Sequence, residues 1–164
     1  MKNILIFGNS GAGKSTLAKK LKEEYSLAHL DLDILAWLDT NPPTRKPIVD
    51  SQKEIDLFLA KSYSWVIEGG YSDLLELVME QASDIIFLNP PVDICIQHCQ
   101  SRPWEPHKYA SKTEQDKNLS MLIEWVKQYE KRDDDFSLKS HRVLYEKFSG
   151  NKQEIKSEVD SLIS

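Results

Sequence analysis

The chain has 164 residues, which is enough for one domain with its own hydrophobic core. Its formal net charge of -5 at pH 7 argues against a strongly basic surface for nucleic acid or for anionic membranes. Its two cysteines provide no disulfide framework and fit a reducing cytoplasm, and no apolar run approaches the ~18 residues of a membrane span. We therefore expect one cytoplasmic domain over residues 1–164, without a direct nucleic-acid or membrane partner.

The first predicted element is a buried strand, the apolar run Ile4-Leu5-Ile6-Phe7. The sequence G-N-S-G-A-G-K-S follows it, and this matches the phosphate-binding loop G-x-x-x-x-G-K-[S/T] between a strand and a helix. Such a loop turns backbone N–H groups and the positive end of the helix toward a phosphate. We predict that Lys14 reaches the β- and γ-phosphates and that Ser15 ligates Mg²⁺. The predicted nucleotide-binding residues are Gly8, Asn9, Ser10, Gly11, Ala12, Gly13, Lys14, Ser15 and Thr16.

Strand and helix patterns then alternate, which predicts a parallel sheet covered by helices on both faces. We predict further strands over residues 27–30, 65–67, 85–88 and 142–148. We predict helices over residues 15–25, 50–61, from about 91, around 119–129 and over 151–163. The fold class is therefore a three-layer α/β/α fold of the P-loop NTPase type, with a five-stranded parallel sheet. The polar segment that starts at Arg102 contains two prolines, and residues 102–131 are the candidate for a small helical lid.

Carboxylates follow two of the predicted strands. Asp31 and Asp33 come after the second strand, and Glu68 precedes Gly69 and Gly70 after the third. Because ligands of such sheets collect at the carboxyl ends of the strands, we expect these side chains to face the γ-phosphate. Phosphoryl transfer uses one carboxylate near Mg²⁺ and another that orients the incoming hydroxyl. For a single aspartate in this position, a turn or helix-capping residue is the alternative.

The phosphate loop, the D-L-D motif and the glycine pair together resemble small P-loop nucleoside kinases and, more distantly, shikimate kinases. The stretches L-D-I-L-A-W at 32–37 and W-V-I-E-G-G-Y at 65–71 more closely resemble the adenylate-kinase-related group described as DNA-topology-modulation (FlaR-like) proteins. The resemblance implies an ATP-dependent kinase that uses Mg²⁺, closes a mobile lid and phosphorylates a small molecule or nucleotide.

The resemblance also implies roles for single residues. Asp31 would join Ser15 in the Mg²⁺ shell, and Asp33 would act on the acceptor. The implied acceptor-binding residues are Asp33, Trp37, Glu68, Gly69, Gly70 and Tyr71. The implied catalytic residues are Lys14, Asp33, Arg102 and Arg132, where Arg132 resembles the lid-return arginine of shikimate kinases. A surface charge near a helix end is the alternative for Arg132.

Shikimate itself is a poor candidate for the acceptor. Where shikimate kinases place a substrate-binding arginine after their D-x-D, this chain has a proline-rich stretch that ends at Arg45, and Tyr71 replaces their third glycine. Two functions without a small-molecule acceptor also stay open: a nucleotide-dependent regulatory ATPase or switch, and a simple nucleoside triphosphatase. The N-K-Q-E sequence at 151–154 only approximates the guanine-binding N-K-x-D motif, which disfavours a GTPase.

Overall fold

Five parallel strands form the central sheet of the protein, which we describe for residues 1–159 of a computed structural model. The strands are β1 (Asn3–Gly8), β2 (Ala28–Asp31), β5 (Trp65–Gly69), β6 (Asp84–Leu88) and β7 (Asn151–Ile155). Their order is β2-β5-β1-β6-β7, and every neighbouring pair is parallel. Two very short strands, β3 (Trp37–Leu38) and β4 (Thr44–Arg45), form a separate antiparallel pair. The predicted α/β class and five-stranded parallel sheet are confirmed.

Within residues 1–159, six helices surround the sheet. They are α1 (Lys14–Tyr25), α2 (Ile48–Ala60), α3 (Ser72–Val78), α4 (Val92–Ser101), α5 (Lys112–Lys127) and α6 (Leu138–Lys147). Short 3-10 turns cover Leu32–Ile34 and Met79–Gln81. The short helix α3 was not predicted from the sequence. No helix within residues 1–159 is long and apolar enough to cross a membrane.

The alternating side chains of β1 divide the hydrophobic core into two halves, because successive residues of a strand point to opposite faces. Leu5 and Phe7 belong to a core half that includes Ile55 of α2, Leu74 of α3 and Leu144 of α6. Ile4 and Ile6 belong to the other half, with the side chains Leu17, Ala18, Cys95 and Val126 from α1, α4 and α5. The sheet is thus the middle of three layers.

The prediction of a strand over 142–148 is wrong, because α6 occupies this stretch. Ser137 caps the helix by accepting a hydrogen bond from the Ser140 amide at 3.1 Å. His141 and Leu144 are buried while Val143 is 54% exposed, which is the three-to-four-residue period of a helix. The apolar run of Val143, Leu144 and Tyr145 resembles a strand only in composition.

The predicted helix over 151–163 is also wrong in its described part, and its last residues lie outside residues 1–159. Asn151–Ile155 is β7, the fifth strand, which pairs with β6 at one edge of the sheet. Its first three residues are polar and exposed, so the strand lacks the apolar alternation that identifies a strand in a sequence.

The sheet register brings the predicted site to one edge. Asp31 lies opposite Glu68 in the β2–β5 pair, and Phe7 lies opposite Gly69 in the β1–β5 pair. The phosphate loop that follows β1 is therefore next to the ends of β2 and β5. This is the edge at which ligands bind in open α/β sheets.

Candidate nucleotide and acceptor site

The phosphate loop leads from β1 into α1 through glycines with left-handed backbone conformations. Gly11 has φ +79° and Gly13, the residue before α1, has φ +98°. A Cβ atom on Gly11 would lie 2.3 Å from the Cys95 carbonyl oxygen in α4, which is far inside van der Waals contact. Both the conformation and this close approach require glycine at position 11. Helix α4 thus supports the loop from behind.

Lys14 holds its ammonium group inside the loop. Its Nζ atom donates hydrogen bonds to the carbonyl oxygens of Asn9 at 2.7 Å and of Gly8 at 3.2 Å. Burial lowers the pKa of Lys14, whereas the charges of Asp33 and Glu68 act in the opposite direction. The ammonium group therefore lies within the loop that was predicted to bind phosphate, with two carboxylates near it.

Glu68 contacts the hydroxyl that was predicted to ligate Mg²⁺. Ser15 Oγ donates to Glu68 Oε1, and His29 Nε2 lies 2.7 Å from Glu68 Oε2. The Glu68 side chain is almost completely buried. The prediction assigned Glu68 to the acceptor, and its carboxylate contacts Ser15 at the start of α1. Its acceptor role stays a prediction. Asp31, the predicted metal residue, uses Oδ1 to accept the Asp33 amide at 2.9 Å and so caps the turn after β2.

The hydroxyl oxygen of Ser15 and the carboxylate oxygens of Glu68 and Asp31 fit Mg²⁺, which prefers hydroxyl, carboxylate, phosphate and water ligands. Within the described part of the chain, no group of three or more His, Cys, Asp or Glu side chains forms a metal site by itself. Mg²⁺ bound at Ser15 would consequently take most of its ligands from water and the nucleotide, with Glu68 and Asp31 accepting hydrogen bonds from that water.

Asp33 is the centre of a hydrogen-bonded chain. We call this part of the site the acceptor side, because the predicted acceptor residues Asp33, Trp37 and Tyr71 lie there. Tyr71 donates its hydroxyl to Asp33 Oδ1, and Trp37 Nε1 donates to the Tyr71 oxygen at 2.8 Å. On the other side, Lys108 Nζ donates to Asp33 Oδ2 at 2.6 Å. Sequence analysis placed Asp33, Trp37 and Tyr71 in the acceptor site, and the structure brings these three side chains into contact. Their function there stays a prediction.

The charges around Asp33 keep it ionised. Burial alone would raise the pKa of Asp33, but the Lys108 charge and the hydrogen bonds from Lys108 and Tyr71 lower it below its ordinary value. The pKa of Asp31 is raised, first by burial and then by the charges of Asp33 and Glu68. Burial and the Asp33 charge also raise the pKa of Tyr71, so its hydroxyl stays a donor. The two aspartates therefore differ: Asp33 is the stronger candidate for an anionic group facing an acceptor.

Lys108 was not predicted as a site residue. It lies in the connection between α4 and α5, and the contact with Asp33 joins residues 75 positions apart. The only sequence signal was its place in the polar, proline-containing segment, which did not distinguish it from the other lysines.

The glycine pair at the end of β5, Gly69 and Gly70, has a packing role in the structure. A Cβ atom on Gly69 would lie 2.9 Å from Leu32 Cβ, and one on Gly70 would lie 3.3 Å from the Gly8 carbonyl oxygen. Both distances are shorter than ordinary contacts, so side chains at these positions would push the end of β5 away from its neighbours. The glycines permit a close approach between the acceptor side and the phosphate loop.

Arg45 completes the acceptor side. It makes hydrogen bonds of 3.0 and 3.2 Å to the Asp73 carboxylate, and its guanidinium lies 4.9 Å from the Tyr71 ring centroid. Trp37, on the paired strand, is 40% exposed. An acceptor would thus meet an exposed indole, a buried phenol and an ion pair beside Asp33.

The two predicted catalytic arginines lie in different surroundings. Arg102 lies 3.8 Å from the Glu105 carboxylate, and its charge is one of the influences that lower the Lys14 pKa. Arg132 instead donates to the carbonyl oxygens of Trp125 and Phe136, and its guanidinium is 4.1 Å from the Trp125 ring centroid. Arg132 would have to give up these contacts to reach a phosphate, so its catalytic role stays a prediction.

The sheet order, the phosphate loop and the carboxylates beside it define a protein with a P-loop NTPase-like α/β fold. The chain is 31% identical over 137 residues to the uncharacterised protein YqaC of Bacillus subtilis strain 168, and the match covers 79% of this chain and 73% of YqaC. The chain belongs to the same family as YqaC. No protein-family model matches the sequence.

Solved structures with a similar fold include an uncharacterised protein from Eubacterium ventriosum. This match has a TM-score of 0.53 and 17% identity, and it covers 99% of this chain and 93% of that one. A shikimate kinase from Bacteroides thetaiotaomicron matches with a TM-score of 0.45 and 17% identity, over 88% of this chain and 97% of that one. The Eubacterium protein shares the overall α/β fold of this chain.

Proposed function

We propose that the protein is an ATP-dependent phosphotransferase that moves the γ-phosphate of Mg-ATP to a hydroxyl or phosphate group of a small molecule or nucleotide. One observation carries this proposal: the Asp33 carboxylate, held by hydrogen bonds from Tyr71 and Lys108, lies at the sheet edge where the phosphate loop begins, and its charge counters the effect of burial on the pKa of Lys14. An acceptor-activating carboxylate next to a phosphate-binding cation is the arrangement that phosphoryl transfer uses.

In the proposed reaction, the loop amides and Lys14 hold the β- and γ-phosphates. Mg²⁺, held by Ser15 and through water by Glu68 and Asp31, would neutralise charge on the phosphates. The acceptor oxygen forms a bond to the γ-phosphorus while the bond from that phosphorus to the ADP oxygen breaks. Asp33 accepts the hydrogen bond, and then the proton, of a reacting hydroxyl, and Arg102 closes on the γ-phosphate oxygens. The products are ADP and the phosphorylated acceptor.

The test combines binding and transfer. ATP binding is measured by calorimetry with Mg²⁺ present, and a thermal-shift screen of nucleosides, nucleotides, sugars and acids selects acceptors. The selected compounds are then incubated with ATP labelled in the γ-phosphate. We expect label in one acceptor with the wild-type protein, and its loss in Asp33→Asn, which should still bind Mg-ATP. Asp39→Asn, an exposed aspartate nearby, is the matched control and should transfer normally.

Two outcomes would contradict the proposal. Release of all the label as inorganic phosphate, whatever compound is present, would identify a nucleoside triphosphatase without an acceptor. Loss of ATP affinity in Asp33→Asn would assign Asp33 to the nucleotide instead of the acceptor.

A further inference from the structure

The segment between α4 and α5, residues 102–111, reaches the centre of the site through one side chain. The Lys108 ammonium lies 2.6 Å from Asp33 Oδ2, 3.8 Å from Asp31 Oδ2 and 3.9 Å from Glu105 Oε2. Only about a fifth of the Lys108 side chain is exposed. This lysine is therefore inserted between the segment and the end of β2, and it is not a solvated surface charge.

Lys108 occupies the part of Asp33 that an acceptor needs. Asp33 Oδ1 already accepts the Tyr71 hydroxyl, and Lys108 binds the other oxygen, Oδ2. A hydroxyl that is to donate to Asp33 has to reach the same carboxylate. With Lys108 in place, the charge of Asp33 is also compensated, which weakens it as a proton acceptor.

We propose that Lys108 is an internal blocking residue: without an acceptor it binds Asp33 and holds residues 102–111 over the site, and it must withdraw before an acceptor can bind. This inference rests on the proposed function for the role of Asp33. Acceptor entry and opening of the segment are then a single equilibrium, because the acceptor and Lys108 compete for one carboxylate.

Hydrogen exchange of the 164-residue protein without ligand tests the first part of the proposal. The variants are Lys108→Met, Asp33→Asn and the double variant, and exchange is followed over residues 102–110. The matched control is Lys112→Met. Lys112 lies four positions after Lys108, is exposed, and forms its ion pair with Asp116 within α5. We expect exchange to be roughly fivefold faster than in the wild type in either single variant. The double variant should exchange no faster than the single variants, and the control should exchange like the wild type. Unchanged exchange in Lys108→Met would overturn the proposal.

Hydrolysis of Mg-ATP, with water as the acceptor, tests the competition. The water oxygen bonds to the γ-phosphorus, the bond to ADP breaks, and one water proton passes to the Asp33 carboxylate. We expect Lys108→Met to hydrolyse ATP faster than the wild type, by a factor on the order of three to ten, because Asp33 is then free to orient water. Adding Asp33→Asn to this variant should remove the increase, and Lys112→Met should match the wild type.

The two measurements separate failure of this inference from failure of the proposed function. Slower or unchanged hydrolysis in Lys108→Met, with Mg-ATP hydrolysis measurable in the wild type, would overturn the blocking role and would make Lys108 an assisting or neutral group. If no variant binds or hydrolyses Mg-ATP, the proposed function fails. In that case the exchange measurement alone decides whether Lys108 holds the segment on Asp33.

Discussion

His141 of α6 supports the candidate site by binding the peptide that follows β5: its Nε2 atom lies 2.8 Å from the Gly70 carbonyl oxygen. A carbonyl oxygen can only accept, so Nε2 carries a proton. Because burial lowers the pKa of His141, Nδ1 carries none at neutral pH and accepts the hydrogen bond of the Tyr129 hydroxyl at 2.7 Å. The ring is therefore neutral and completely buried. Its hydrogen bond holds α6 against the Gly70–Tyr71 peptide, and the Tyr71 hydroxyl donates to Asp33.

This neutral imidazole should make stability depend on pH. Burial lowers the pKa of His141 from its ordinary 6.5 to about 4. The unfolded chain therefore takes up this proton first as the pH falls. The contribution of neutral His141 to the unfolding free energy is fully present above about pH 6.5 and is lost progressively down to about pH 4. The shift corresponds to roughly 3 kcal/mol of unfolding free energy. Urea unfolding between pH 7.5 and 4 measures the loss.

The variant His141→Gln keeps a side-chain donor but removes the titration. We expect its unfolding free energy to fall less steeply with decreasing pH than that of the wild type. His107→Gln, which changes an exposed histidine, should retain the wild-type slope. Equal slopes in His141→Gln and the wild type would show that His141 is not protonated differently in the two states.

Replacing Lys14 by alanine should weaken nucleotide binding and leave the fold intact. The substitution removes the ammonium that lies between the Gly8 and Asn9 carbonyl oxygens at the phosphate position. A charge-assisted contact contributes about 1.5–3 kcal/mol, so affinity for ATP should fall by roughly one to two decades in calorimetry. Lys19→Ala, on the exposed side of α1, serves as the control. ATP affinity that is the same in both variants would reject the site.

Glu68→Gln should weaken binding of Mg-ATP more than binding of ATP alone. The amide keeps the shape of the side chain that contacts Ser15 and His29 but removes its negative charge. Because Mg²⁺ and its water ligands favour anionic oxygens, the Mg²⁺ concentration that gives half-maximal ATP binding should rise roughly tenfold. A magnesium titration of ATP affinity measures it. An equal loss with and without Mg²⁺ would place Glu68 outside the metal environment.

The two arginines should differ when each is replaced by alanine. The charge of Arg102 acts on the pKa of Lys14, so Arg102 belongs to the electrostatic surroundings of the phosphate loop. Its loss should reduce phosphate transfer on the order of a hundredfold while the melting temperature changes little. Arg132→Ala loses contacts with two carbonyl oxygens and should lower the melting temperature by about 2–4 °C. Transfer rates and melting curves of both proteins provide the comparison. A larger loss of transfer in a folded Arg132→Ala protein would assign the phosphate contact to Arg132.

The elements that sequence analysis located correctly carry strong local patterns. The strand Ile4–Phe7 is a continuous apolar run because the sheet buries it on both faces. The phosphate loop is recognisable because its glycines and its lysine are adjacent in the chain. In contrast, β7 is an edge strand with three exposed polar residues, and its composition did not distinguish it from a helix.

The contacts that sequence analysis missed depend on tertiary packing. Lys108 reaches Asp33 only because the α4–α5 connection folds over the end of β2. Glu68 was predicted within the site, but its contact with Ser15 follows from the pairing of β1 with β5, which places their ends side by side. Neither contact leaves a spacing or a motif in the sequence.

The strand order has a consequence for the synthesis of the protein. The central strand β1 pairs with β5 and β6, which begin only at Trp65 and Asp84. During synthesis on the ribosome, β1 therefore has neither neighbouring strand to pair with until β5 and β6 have been made. Such non-local pairing is slow, and it leaves an apolar segment open to aggregation and to chaperones. The phosphate loop, made early, acquires its final shape only after α4 has been synthesised and has packed behind Gly11.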